Sequence, residues 1–298
     1  MFQSFPMLDV VSDNTGASFD SLSSLLKYDL IVFANTSGSW LLDSTQRSHF
    51  ERYMEAGGNL MGIHAATDTY RHTTANGPNT GVWDFYAEAI GGSVQTSPNH
   101  LAGTPRYAMG HMNIHPSLSG LPSPWSKHEE YYYWERGYLD SSIKVILKVE
   151  ETIGPNNQVN SYDSARAVSW YKVSDRGSNI FYTSLGHANS SYTSDTLFQK
   201  HIWQATQWCM TPHYPSSISS DVIGEHVALV YPNPARDAIM ISFGHHAALP
   251  TSIQILNAQG RIEKTGEEIP CNVVGLTAGV SPNIDFIKDS GIDTKRGV

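Results

Sequence analysis

The chemistry this chain can carry centres on four residues: His64, Asp68, Glu129 and His187. Two imidazoles and two carboxylates suit general acid–base work near neutral pH. The same nitrogen and oxygen donors would equally suit a divalent metal. His64 stands at the centre of Gly62-Ile63-His64-Ala65-Ala66, a small-x-X-x-small pattern after a short apolar stretch. That is the pattern of a nucleophile elbow, where a strand turns sharply into a helix and holds up one side chain. The central position usually carries Ser or Cys. With imidazole there instead, ordinary thioester chemistry is excluded. His187 follows another strand candidate, residues 179–185, so both imidazoles fall at strand C-termini, where open α/β sheets place ligands.

Further candidates surround these four. His115 precedes Pro116 and so lies in an extended or turn segment. Tyr131, Tyr132, Tyr133 and Trp134 follow Glu129 directly. In an extended chain their side chains alternate between faces, one set packing and the other free to line a cleft. Tyr131 and Trp134 are the expected contacts to a sugar ring, because aromatic faces offer flat apolar surface with a polar handle. Trp83, Phe85 and Tyr86 serve equally as packing residues, and Arg166 is a candidate for a substrate oxygen or a carboxylate. His100, His111 and His128 lie in the same loop-rich region and rank lower, and His245 and His246 read as solvated.

The elements that must position these residues follow from pattern. Residues 29–35 are a continuous apolar run, as in a buried parallel strand. Asp43 or Ser44 caps the next helix, Phe50, Tyr53 and Met54 give it one apolar face, and Gly57-Gly58 stops it. Leu60 to Ile63 is the next strand. This strand–helix–strand order predicts an α/β fold with a parallel sheet. Strands are expected at 143–149, 166–173 and 179–185, with little helix between them, so part of the sheet is expected to be antiparallel. A helix is expected over 194–210. Residues 211–227 read as a linker, rich in Ser and Pro, and short alternating strands at 227–231, 237–243 and 251–257 predict a small all-β sandwich. Residues 281–298 are polar and lack periodicity.

Composition narrows the class. A net charge of −9 argues against a nucleic-acid partner. No run approaches the ~18 apolar residues of a membrane span. Charged residues make up only 16% of the chain, below the usual quarter, which suits an exported protein. Cys209 and Cys271 fall in different predicted domains, so neither a disulfide framework nor a Cys-based metal site is expected. The first six residues show neither a basic start nor an apolar core, so no signal peptide is visible.

From about residue 8 to 210 the sequence resembles the ThuA-like (trehalose-utilisation) family. The resemblance rests on Tyr28-Asp29-Leu30-Ile31-Val32-Phe33, the stretch from Phe50 to Gly58, Gly62 to Asp68, Ile114-His115-Pro116-Ser117, Glu129-Glu130-Tyr131-Tyr132-Tyr133, Ser169-Trp170-Tyr171, and Phe181 to His187, in that order. It implies a flavodoxin-like fold similar to class I glutamine amidotransferases, a mostly parallel sheet with flanking helices. It also implies a link to sugar metabolism, with a carbohydrate or other small molecule as partner. By this resemblance His64 occupies the nucleophile position, His187 the catalytic histidine position, and Asn189 the place of the third, acidic member. Glutaminase activity is therefore not expected. Residues 228–280 resemble the C-terminal sorting domain of type IX secretion, marked by Val230-Tyr231-Pro232-Asn233-Pro234 and Leu276-Thr277-Ala278-Gly279-Val280. That implies a partnership with the type IX machinery and a secreted or cell-surface location.

The chain departs from both patterns. The family's opening strand has no counterpart before Leu8, so an N-terminally truncated domain over 1–210 is expected, with a gap in the sheet where the first strand would sit. The sorting domain lacks its closing strand after Val280. Three functions follow: an exported enzyme acting on a sugar or keto-sugar by acid–base or metal-assisted chemistry, as a hydrolase, lyase or isomerase; a non-catalytic carbohydrate-binding module; or an inactive truncated product.

Overall fold

The computed structural model describes residues 1–5, 8–211, 228–231, 240–243, 254–256 and 262–265. The chain divides into two compact units, Met1–Pro215 and Ser216–Val298.

Among its described residues the first unit holds nine strands: β1 (Leu30–Ala34), β2 (Asn59–Ile63), β3 (Gly92–Ser93), β4 (Arg106–His111), β5 (Trp125–His128), β6 (Tyr138–Leu139), β7 (Lys144–Val149), β8 (Arg166–Val173) and β9 (Asn179–Thr183). Its helices are α1 (Leu22–Leu25), α2 (Ser44–Glu55), α3 (Asp84–Ile90), α4 (Asn189–Thr193) and α5 (Thr196–Met210). Seven strands form one sheet in the order β1-β2-β9-β8-β7-β4-β5, and β3 pairs with β6 apart from it. The pairs β1–β2 and β2–β9 are parallel, and the remaining four pairs are antiparallel. Strands β1, β2, β9, β7 and β5 therefore run one way, with β8 and β4 reversed between them. The short β8–β9 connection explains the reversal: only five residues separate the two strands, too few for the crossover a parallel pair needs. The expected gap in the sheet is absent. β1 pairs directly with β2 over five residues, Leu30 opposite Asn59 through Ala34 opposite Ile63.

Alternation within the central strands divides the core into two layers. In β9, Phe181 points to one layer while Ile180 and Tyr182 point to the other. The first layer is closed by Phe198, Ile202, Ala205, Trp208 and Cys209 of α5. The second is closed by Phe50, Tyr53 and Met54 of α2 and by Tyr86 and Ile90 of α3. Asp43 caps α2 in a reciprocal capping box with Gln46, and Gly57 at φ +88° follows its end. The Cys209 thiol is free and buried.

In the second unit, β10 (Ala228–Tyr231) pairs antiparallel with β11 (Met240–Phe243), and β12 (Gln254–Leu256) with β13 (Ile262–Thr265). The predicted linker, from 212 to 227, and the polar tail lie outside the described residues. Among those described, no helix is long and apolar enough to cross a membrane.

Candidate functional site

The site forms where two parallel strands end side by side. β2 and β9 are neighbours in register, with Ile63 opposite Thr183. The residues just beyond them, His64 and Ser184, therefore meet. His64 Nδ1–H donates to the Ser184 carbonyl at 2.8 Å. The backbone at His64 is left-handed, φ +52°, and it opens a 3-10 turn over His64–Asp68. A bulky residue held there carries strain of about 1 kcal/mol or more. The contacts that enforce it are the Ser184 bond and a 2.7 Å bond from the Tyr182 hydroxyl to the His64 carbonyl. The elbow's small residues have a packing cause. A Cβ at Gly62 would lie 2.1 Å from Ile90 Cδ1 in α3 and 3.1 Å from Ala66 Cβ.

His64 Nε2 then faces a polar group of side chains. With Nδ1–H on Ser184, Nε2 accepts from the Tyr132 hydroxyl, 3.2 Å away, when the ring is neutral, and turns its N–H to Glu130 when the ring is protonated. Glu130 Oε2 lies 3.5 Å from the same Nε2 and 3.3 Å from His187 Nδ1. Its other oxygen, Oε1, lies 3.6 Å from His100 Nε2, and His100 Nδ1 is held by the Leu101 carbonyl at 2.9 Å. The ligand atoms of His64, Glu130 and His187 all fall within 4.8 Å of one another. Burial alone would raise the Glu130 carboxyl. The hydrogen bond with His64 and the charges of His100, His187 and His64 outweigh it, so the group sits below its ordinary range and is ionised at neutral pH. Burial, with Glu130 adjacent, pushes the Tyr132 phenol well above its ordinary value, so it keeps its proton. The side chain of His64 is buried, that of Glu130 is 17% exposed and that of His187 is 43% exposed. His187 also lines an open polar cleft of about 650 Å3, with Arg106, Lys127, Glu129, Asn189 and Asp195 on its walls.

The structure brings together only part of the set expected from sequence. His64 and His187 meet, with ring centroids 5.3 Å apart. Glu129 does not face them as an acid. Its buried carboxylate accepts from the backbone N–H of Gly186 at 2.7 Å and of His187 at 3.0 Å, and so fixes the turn that presents His187. Asp68 does not orient either imidazole. It is bound by Arg71 Nε at 2.6 Å and by the Ser37 hydroxyl. His115 packs among Tyr171, Phe181 and Trp208 and caps its own 3-10 turn through Ser117, in the layer closed by α5. Tyr131 is fully buried, its hydroxyl donating to the Lys127 carbonyl at 2.7 Å. Trp134 is a core residue against Trp170, with its indole N–H on the Ala167 carbonyl. Trp83 and Tyr86 are likewise core. Arg166 is buried as a clamp. Its guanidinium donates to the carbonyls of Tyr132, Tyr131, Asp163 and Ser164 and to the Thr152 hydroxyl, over the Tyr133 ring.

Glu130 stands between the two imidazoles although the sequence singled out its neighbour Glu129, while Tyr132 and His100, which the sequence offered only as an aromatic of either face and a lower-ranked histidine, stand beside it. The available signal is parity. The segment Glu129–Trp134 is extended, so Tyr131 and Tyr133 enter one core layer and Tyr132 and Trp134 the other. Glu130 shares the parity of Tyr132 and faces the elbow, whereas Glu129 faces the loop after β9.

Residues 3–209 match the ThuA family, described as trehalose utilisation. Residues 229–280 match the secretion system C-terminal sorting domain, which indicates a secreted or cell-surface protein of the type IX route. No curated protein matches the chain. Among solved structures it is similar to a ThuA-like protein of Bacteroides uniformis, at 23% identity and TM-score 0.51, over 67% of this chain and 76% of that one. A ThuA-like protein of Parabacteroides merdae is 16% identical with TM-score 0.48, over 70% of this chain and 78% of that one. With a family match spanning most of the first unit and the same fold in a solved ThuA-like structure, the chain belongs to the ThuA (trehalose utilisation) family and carries a type IX sorting domain behind it.

Proposed function

We propose that this secreted, carbohydrate-related protein is an enzyme acting on a sugar or keto-sugar by acid–base chemistry at His64, Glu130 and His187. The observation that supports it is the convergence of two imidazoles on one ionised carboxylate at the ends of β2 and β9, beside an open polar cleft. His187 Nδ1 faces Glu130, which leaves Nε2 toward the cleft as the base. It removes a proton from the carbon beside a sugar carbonyl, and Glu130 stabilises the imidazolium that forms. The electron pair moves onto the carbonyl oxygen, where the Tyr132 hydroxyl and the protonated His64 ring donate. Return of the proton to a neighbouring carbon, or loss of a leaving group, completes an isomerase or lyase reaction. Glutaminase chemistry is not part of this reading, since imidazole replaces the thiol.

A purely sugar-binding role has less support. Its expected platform, Tyr131 to Trp134, is buried throughout.

The test is turnover on a panel of keto-sugars and their parent disaccharides. His187→Ala and His64→Ala are each expected to lower kcat/KM by about 100-fold or more while the fold is kept. Unchanged turnover in both variants would remove the assignment. Glycan binding with no product from any sugar would favour a binding module.

A further inference from the structure

We infer that His64 Nε2, a Glu130 carboxylate oxygen and His187 Nδ1 form a binding site for one divalent transition-metal ion of the zinc type. The inference rests on the reading above, that this centre is the working site, and extends it to a loaded form. Three observations carry it.

The first is spacing. Ions bound by nitrogen and oxygen at about 2.1 Å hold neighbouring ligand atoms about 3.0–3.4 Å apart. Glu130 Oε2 lies 3.3 Å from His187 Nδ1 and 3.5 Å from His64 Nε2. These are long for direct hydrogen bonds and close to the separation an ion imposes. The third separation is no more than 4.8 Å, so a small movement of the half-exposed His187 closes the triangle.

The second is the donor set. Two imidazoles and one carboxylate, with further positions open, is the ligand pattern of catalytic zinc and of other first-row divalent ions. The cleft beside His187 leaves room for water or a substrate oxygen.

The third is the supporting shell. Metal-bound histidines usually donate their other ring nitrogen to a carbonyl or carboxylate. His64 Nδ1–H does this to Ser184 at 2.8 Å. The remaining Glu130 oxygen is backed by His100, itself held by the Leu101 carbonyl. The backbone of His187 is fixed by Glu129 at 3.0 Å. Tyr132 is the occupant an ion would displace from Nε2, after which its hydroxyl is free to donate to a metal-bound oxygen.

An ion held by these residues would supply polarisation of a substrate oxygen, and His187 Nε2–H would then face the cleft as a hydrogen-bond donor.

The experiment is calorimetric titration of chelator-treated full-length chain with Zn2+, and with Co2+ so that visible absorption reports the ligand field. One ion per chain is expected. Glu130→Gln and His187→Ala should each weaken binding by more than the roughly 10–100-fold that outer-shell changes cost, and His100→Ala should fall within that range. Tyr132→Phe should bind as tightly as the parent chain or more tightly. Absence of binding by a folded chain, or binding that Glu130→Gln and His187→Ala leave unchanged, overturns the inference. Turnover separates this from the reading it rests on. A chain that binds no Zn2+ yet turns over, and loses turnover in His187→Ala, keeps the acid–base centre and rejects the ion. Stoichiometric Zn2+ binding with no turnover on any sugar keeps the ion and rejects the chemistry.

Discussion

Two polar clusters share the segment from Glu129 to Trp134 and reach opposite outcomes. On one side, Arg166 is closed. Its Nε meets the Tyr132 carbonyl at 2.7 Å and its terminal nitrogens are spent on Thr152, Asp163, Ser164 and Tyr131. Asp163 in turn accepts from Tyr133 at 2.6 Å and Thr152 at 2.9 Å. On the other side, Glu130 is surrounded by three imidazoles at 3.3–3.6 Å, and one of them stands half in solvent. Buried polar groups bonded in full rigidify a fold, while a loosely bonded set at a strand end can exchange its partners for a ligand. The difference separates scaffold from candidate site on geometry alone, although both clusters are rich in charge.

The largest expected effect lies on the scaffold side. Arg166→Leu strands several buried carbonyls and the Thr152 hydroxyl, and should cost about 3–5 kcal/mol of stability. The denaturant midpoint measures it, and a loss below about 1 kcal/mol would mean that the clamp is not structural. The second effect is a pH dependence. Burial pulls His201 in α5 down to about 4, while its Nδ1–H donates to the Ser117 carbonyl. The unfolded ring titrates near 6.5, so below that pH the unfolded chain binds the extra proton. Stability is thus complete above about pH 6.5 and declines as pH falls toward 4, by about 3 kcal/mol over the window. His201→Gln should flatten that part of the stability–pH curve. A third effect tests the neighbouring carboxylates. Glu129→Gln replaces one of the two oxygens that accept from the backbone after β9 with an NH2 donor and should cost about 1–3 kcal/mol. The same change at Glu130 should cost under about 1 kcal/mol, because its bonds are long and partly solvated. Equal costs at the two positions would erase the distinction between scaffold and site.

The sequence made the fold legible wherever one local rule decided it. β1, β2, β8 and β9 were expected from apolar runs, α2 from its cap and glycine stop, and α5 from its apolar face. The elbow pattern pointed to His64 and a strand end to His187, and their rings stand 5.3 Å apart. What the sequence did not convey was which way a side chain turns at an extended segment outside a strand. Glu129 and Glu130 are chemically alike, and only their parity relative to the buried Tyr131 and Tyr133 distinguishes them. His115, Asp68 and Arg166 were drawn into the expected site because their chemistry suits it. Each is instead consumed by a local partner: Ser117, Arg71 and a ring of carbonyls. The gap expected in the sheet failed for a different reason. β1 and β2 both have apolar side chains for the two layers and free edges to pair, so they join.

The centre itself is tested most directly by Glu130→Gln against Glu129→Gln, with kcat/KM on a keto-sugar and thermal midpoint measured on both. At Glu130 the account predicts a loss of about 100-fold or more in kcat/KM with the midpoint nearly unchanged. At Glu129 it predicts a lowered midpoint with the smaller loss of kcat/KM. Full activity in a folded Glu130→Gln protein would contradict it.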